Sequence, residues 1–198
     1  MSSKKMLVVY YSWSNGNTER IAEQLANVCD ADLERIETIE PYPDDYDETV
    51  EQGHREVNEG VMPAIEGLEH DPADYDVIAV GTPTWWYTMA PAVKTFLAEN
   101  DLAGKTVVAF QTNGGWPGSV IDDIEGACAG AAFGPSMEVQ FDSTGGDEQV
   151  TPQADVDAWI ERVKALWAAN NRTGTPSKRR AARVQSPCRP ALSFPWQG

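Results

Sequence analysis

Three short polar segments carry the residue types from which a ligand site could be built. The first is Ser12-Trp13-Ser14-Asn15-Gly16-Asn17-Thr18. It follows an apolar run and opens a helical pattern, so it offers unbonded backbone N–H groups and the positive end of a helix dipole. The hydroxyls of Ser12, Ser14 and Thr18 add donors, and Gly16 allows the backbone to wrap closely. Together they form a cradle for a phosphate, without a fixed positive charge. The Gly-Lys-Ser/Thr ending of a nucleotide P-loop is missing, as is the G-x-G-x-x-G of a dinucleotide fold. The same residues also suit an ordinary turn in which Asn17 or Thr18 caps the helix.

The second segment is Gly81-Thr82-Pro83-Thr84-Trp85-Trp86-Tyr87. Three consecutive aromatics in regular structure would leave at least one ring facing water. A flat aromatic ligand stacked on a ring resolves that exposure, and Pro83 fixes the backbone that would present it. A hydrophobic lid or a protein-contact patch is the alternative. The third segment, Thr112-Asn113-Gly114-Gly115-Trp116-Pro117-Gly118, has glycines that permit close approach and bare amides suited to the polar edge of a heterocycle. It also suits a plain turn into the next helix. Trp13, Trp85, Trp86 and Trp116, four of the seven tryptophans, lie in these segments. A core-only explanation does not account for that concentration.

The elements that must position the segments alternate along the chain. Apolar runs at 6–11, 76–81 and 106–111 suit strands buried on both faces of a parallel sheet. Weaker strands are expected at 32–39 and 136–141. Helical spacing marks 18–29, 45–59 (interrupted by Gly53), 91–97 with proline in its first turn, 119–128 and 153–167. Five strands joined by helices imply parallel pairing and an α/β fold. In such doubly wound sheets ligands sit beyond the carboxyl ends of the strands. The three polar segments follow strands one, three and four.

The 198 residues are expected to form one domain, 1–169, with a tail at 170–198. Residues 1–169 hold all 31 acidic residues and only 9 of the 15 basic ones. A body this acidic repels nucleic acid and anionic membranes and steers toward basic proteins, although solubility in a salty cytoplasm would account for the charge equally well. The proline- and arginine-rich tail has no period and is expected to be disordered. It reads as a non-functional extension, or as a nucleic-acid or partner arm through Lys178-Arg179-Arg180. Cys29, Cys128 and Cys188 are too few and too scattered for a disulfide framework or a zinc site, which points to a reducing cytoplasm. Neither a secretory leader nor a membrane span is expected. His54 and His70 fall in polar surroundings and read as surface residues. Asp122, Asp123 and Glu125 read as a solvated helix face.

Tyr10-Tyr-Ser-Trp-Ser-Asn-Gly-Asn-Thr, then Gly81-Thr-Pro-Thr-Trp-Trp-Tyr, then Thr112-Asn-Gly-Gly resembles the flavodoxin family, from about Met6 to about Leu166. The stretch Glu40-Pro-Tyr-Pro-Asp-Asp-Tyr resembles a short-chain flavodoxin-like subgroup. The resemblance implies a flavodoxin-like three-layer sandwich with strand order 2-1-3-4-5 and non-covalent FMN. It implies that Ser12, Ser14, Asn15, Gly16, Asn17 and Thr18, with Trp13 in the same loop, hold the phosphate. Pro83, Thr84, Trp85, Trp86 and Tyr87 would flank the ring, with Trp86 or Tyr87 stacked on it. Thr112, Asn113, Gly114 and Gly115 would meet its pyrimidine edge. Two departures stand out. The family often has glycine after the first tryptophan of the second segment, where a peptide flips toward the reduced ring, whereas this chain has Trp86-Tyr87-Thr88-Met89. Trp116-Pro117 replaces small polar residues in the third segment.

The function so implied is a low-potential electron carrier between basic redox proteins, as a monomer or weak dimer. The alternative is an FMN-dependent NAD(P)H:quinone-type oxidoreductase. A phospho-receiver is disfavoured because the acceptor carboxylate it needs at the end of strand three is absent; Asp76 starts that strand. A scaffold that binds no flavin completes the alternatives.

Overall fold

The computed structural model describes residues 5–172. Strand β1 (Met6–Tyr10) is buried along its whole length. Its alternate side chains feed two separate core clusters, one on each face of the sheet. That is why the run reads as continuously apolar. It pairs in parallel with β2 (Asp32–Arg35) on one side and β3 (Val77–Trp85) on the other. Helix α1 (Asn17–Cys29) packs Ile21, Ala22 and Leu25 onto one face. Helix α2 (Tyr46–Glu59) follows β2.

Beyond β3 the chain makes a short hairpin with β4 (Thr88–Met89), in which Trp85 pairs with Thr88. Helix α3 (Pro91–Glu99) then returns the chain to β5 (Thr106–Asn113), which lies parallel to β3. Helix α4 (Val120–Ala127) leads to β6 (Ala132–Phe133) and β7 (Met137–Gln140), both parallel to β5. Helix α5 (Gln153–Arg172) closes the chain. Helices α1 and α5 cover one face, and α3 and α4 the other.

The order is β2-β1-β3-β5-β6, with β4 on β3 and β7 on β5. With β6 and β7 taken as one interrupted strand, this is the expected order 2-1-3-4-5. The interruption has a local cause. Pro135 has no N–H for the ladder, and its carbonyl accepts the indole N–H of Trp159 at 2.7 Å. A side chain at Gly134 would meet Val108 at 2.8 Å, so the chain there lies hard against the sheet.

Several expected boundaries are corrected. Strand β2 ends at Arg35 instead of residue 39, because its neighbour β1 ends at Tyr10; Thr38 instead forms an isolated bridge with Ile65. Strand β3 runs past Gly81 to Trp85, because β5 continues beside it to pair Thr82 with Gln111 and Pro83 with Thr112. Helix α2 is unbroken at Gly53, where the Trp85 ring occupies the space of a side chain, 3.1 Å from an ideal Cβ. Its N-cap is Asp45, which accepts the Glu48 N–H at 3.0 Å. Helix α3 extends to Glu99 and α5 to Arg172. The disorder expected of the tail concerns, from residue 173 on, positions outside the described residues, as do Cys188 and Lys178-Arg179-Arg180. Among the described residues no helix is long and apolar enough to cross a membrane.

Candidate functional site

A cavity of about 410 Å³ opens at the carboxyl edge of the sheet, within the roughly 300–1,000 Å³ typical of small-molecule sites. All three polar segments reach it. From the first come Trp13, Ser14, Asn15 and Asn17; from the second Pro83, Thr84, Trp85, Trp86 and Tyr87; from the third Gly114 and Trp116. Among the described residues no Asp, Glu, Lys, Arg or His lines it. Its polar side chains, among them Ser14, Asn15, Asn17 and Thr84, are uncharged, and its rings are Trp13 and Tyr46, 6.0 Å apart, with Trp85, Trp86, Tyr87 and Trp116.

The remaining predicted residues stand behind this lining. Gly16 occupies the N-cap position of α1 in a left-handed conformation (φ 70°), and no side-chain hydrogen bond caps the helix. The reading of Asn17 or Thr18 as cap is thereby corrected: both lie inside the helix. Ser14 is also left-handed, at φ 63°. Ser12 is buried and its Oγ meets the Glu19 N–H only at 3.4 Å. Thr18 and Thr112 are buried and bonded to each other through their hydroxyls at 2.8 Å. Asn113 Oδ1 accepts the Gly115 N–H at 2.8 Å, which shapes the third loop, and Gly115 takes φ 108°.

The second segment differs most from an open loop. Trp85 is half-buried and makes edge-to-face contacts with Tyr42 at 4.8 Å and Tyr11 at 5.8 Å between centroids. Burial raises the pKa of Tyr11 and, with the hydrogen bond it donates to Glu56, that of Tyr42, so both phenols stay neutral. Trp86 and Tyr87 form the hairpin tip, both with positive φ (49° and 66°). That is the signature of a type I′ turn, rarely built from aromatics. The left-handed conformation costs about 1–2 kcal/mol per such residue. Two contacts hold Trp86: its indole N–H donates to the Val50 carbonyl at 3.2 Å, and His54 stacks on it at 4.1 Å. The Tyr87 carbonyl accepts the Ser119 N–H at 2.8 Å. Gly118 sits so close that a Cβ would lie 2.0 Å from that oxygen. His54 is therefore a support of the hairpin. Asp123 also departs from the solvated-face reading, since its carboxylate accepts the hydroxyls of Thr88 and Ser119.

Two parts of the site were missed from sequence. Helix α2 contributes Tyr46, Thr49, Val50 and Gly53 to the lining. Its polar composition hid this, although Gly53 within a helix was a usable signal. The loop after β7 contributes Ser143 and Gly145. Asn15 Nδ2 donates to the Gly145 carbonyl, and Asn17 Nδ2 to that of Gly146 at 2.9 Å. The Asp142 carboxylate organises this loop by accepting the hydroxyl and N–H of Thr144 and the N–H groups of Gly146 and Glu148. Those bonds, the Thr144 hydroxyl foremost, hold its pKa below the usual carboxylate range.

The fold and the sequence match known proteins. The flavodoxin family model matches residues 5–161. An FMN-complexed flavoprotein from Lactobacillus acidophilus superposes with a TM-score of 0.62 at 24% identity, covering 79% of this chain and 98% of that one. A Bacteroides eggerthii protein assigned to the flavoproteins superposes with a TM-score of 0.65 at 28% identity, covering 81% and 98%. In sequence, NAD(P)H dehydrogenase (quinone) 3 of Rhizobium meliloti is 36% identical over 124 residues. That match covers 56% of this chain and 53% of the relative, so the chain spans about half the relative's length. With the family model matched over most of its length, the chain belongs to the flavodoxin family.

Proposed function

We propose that the chain binds FMN in this cavity and carries electrons at low potential between partner proteins. The observation that carries the reading is the lining itself: uncharged donors from the first segment, six aromatic rings and, among the described residues, no Asp, Glu, Lys, Arg or His. Three further features fit the cofactor. Gly16, the N-cap residue of α1, brings no side-chain acceptor to the first turn, where a phosphate would cap it. Asn17 Oδ1 is buried without a hydrogen-bond partner among the described residues, an acceptor suited to a polyol hydroxyl. The glycines at 16 and 114 leave the backbone bare.

Bound FMN supplies reversible electron transfer. The residues supply binding and electrostatics. Backbone N–H groups of the first segment, with the Ser14 hydroxyl, hold the phosphate. Trp86, Tyr87 and Trp116 cover the ring and exclude water. Among the described residues no lysine, arginine or histidine lines the cavity to stabilise added negative charge. The acidic body, with 31 acidic against 15 basic residues, opposes that charge further. Both lower the potential. The same surface charge favours basic partners.

A second reading, an FMN-dependent NAD(P)H:quinone oxidoreductase, draws on the named relative. Trp116 and Tyr87, 57% and 59% exposed, leave the rim open to a second flat ring. Steady-state NAD(P)H oxidation with a quinone separates the two. Turnover only when a separate reductase is added is expected of a carrier. Rapid turnover by the chain alone would replace that reading with the oxidoreductase.

A further inference from the structure

Gln111 on β5 is fully buried, yet only half of its amide is used. Its Oε1 accepts the Thr84 hydroxyl at 2.9 Å, while its Nε2 has no hydrogen-bond partner among the described residues. Thr84 is half-buried and lines the cavity. Among the described residues its other neighbour of this kind is the Pro117 carbonyl, at a long 3.5 Å. Turning the Gln111 amide by 180° brings Nε2 to Thr84. The Thr84–Gln111 bond is kept, with donor and acceptor exchanged. The two orientations differ in what Thr84 can offer. In the first its proton is committed to Gln111 and its lone pairs are free. In the second it accepts from Gln111 and its proton is free.

We infer that Thr84 and Gln111 form a polarity-adapting pair that hydrogen-bonds a ring nitrogen of the cavity ligand in both of its redox states, with Gln111 as the positioning residue. The inference rests on the FMN reading. Reduction of the oxidised ring by two electrons from an external reductant and two protons from water turns a nitrogen that accepts a hydrogen bond into an N–H that donates one. The hairpin backbone is poorly placed to follow that change. Tyr87 is tied to Ser119, its carbonyl is backed by Gly118, and Trp86 is tied to Val50. An amide turn follows it without moving the chain.

The test measures affinity for oxidised FMN and for dithionite-reduced FMN in wild type, Thr84→Val, Thr84→Ser and Gln111→Met. Thr84→Val should weaken both about tenfold, and Thr84→Ser should behave as wild type. Gln111→Met should weaken the reduced form about tenfold and the oxidised form less than threefold. That three- to tenfold differential lowers the two-electron potential by about 15–30 mV. Equal effects of Gln111→Met on both forms, or none, would overturn the pair. The ¹⁵N resonance of the Gln111 side-chain amide in wild type should also shift between the two states, which keeps the inference testable if a variant fails to fold; an unmoved resonance overturns it. A wild type that takes up no FMN removes the cofactor reading and the pair together, a result distinct from the failure of the pair alone.

Discussion

Thr18 and Thr112, ninety-four positions apart, share a buried hydrogen bond of 2.8 Å between their hydroxyls. It ties the first turn of α1 to the carboxyl end of β5, and so fixes the first segment relative to the third. Thr18→Val or Thr112→Val leaves one buried hydroxyl unpaired and should cost about 1–2 kcal/mol each. The double variant removes both polar groups and should cost clearly less than the sum of the singles. Chemical denaturation of the four proteins checks this; strict additivity would show that the bond contributes nothing.

Asp142 is not among the residues that line the cavity, yet its carboxylate sets the loop whose Gly145 and Gly146 carbonyls receive Asn15 and Asn17. Asp142→Ala should therefore lower FMN affinity about tenfold, an energy of about 1.4 kcal/mol. Fluorescence titration reads the change. Unaltered affinity would separate the loop from the cradle.

The hairpin tip is held against its backbone preference. Tyr87→Gly relieves a left-handed tyrosine and adds some unfolded-state entropy, for a net stabilisation of about 0.5–1 kcal/mol. The same change removes a ring from the cavity wall, so FMN binding should weaken several-fold. Melting of the apoprotein and titration with FMN should move in opposite senses. A variant that melts lower and binds as before would reverse the assignment of this residue.

How far the sequence speaks depends on which residues carry the signal. The core of β1, β3 and β5 was legible because strands buried on both faces leave unbroken apolar runs, and the order of elements followed. The flanking segments then fell at the strand ends, as the alternation requires. The extension of β3 to Trp85 was hidden, since Thr-Pro-Thr reads as loop when the register with β5 is unknown. The positive φ at Trp86 and Tyr87 was equally hidden, because aromatics carry no bias toward it; tertiary contacts from Val50, His54 and Ser119 impose it. The 142–147 loop was passed over because its role is to bind another loop by backbone carbonyls. Helix α2 looked solvated because only a narrow stripe, Thr49 and Gly53, is buried.

Two buried thiols give the stability of the fold an alkaline limit. Burial raises the pKa of Cys29 and of Cys128 from 9.0 to about 11. Between these values the folded chain keeps protons that the unfolded chain releases, so stability falls as pH rises from about 9 to 11. The raised phenols of Tyr10 and Tyr75 act in the same sense at higher pH. Melting temperature should be flat from pH 7 to 8.5 and decline above 9. Peptide mapping after alkylation at pH 8 should find both cysteines protected in the native protein. Rapid labelling of either, or a melting temperature that holds to pH 11, would contradict the burial.

The central claim is that FMN occupies the cavity at the carboxyl rim, held by neutral groups. Titration of the purified apoprotein with FMN, followed by flavin fluorescence and visible absorbance, tests it most directly. The account predicts saturation at one FMN per chain with sub-micromolar affinity, and a loss of at least tenfold in the paired variant Ser14→Ala with Thr18→Val. No uptake by the folded wild type, or equal uptake by the variant, would contradict it.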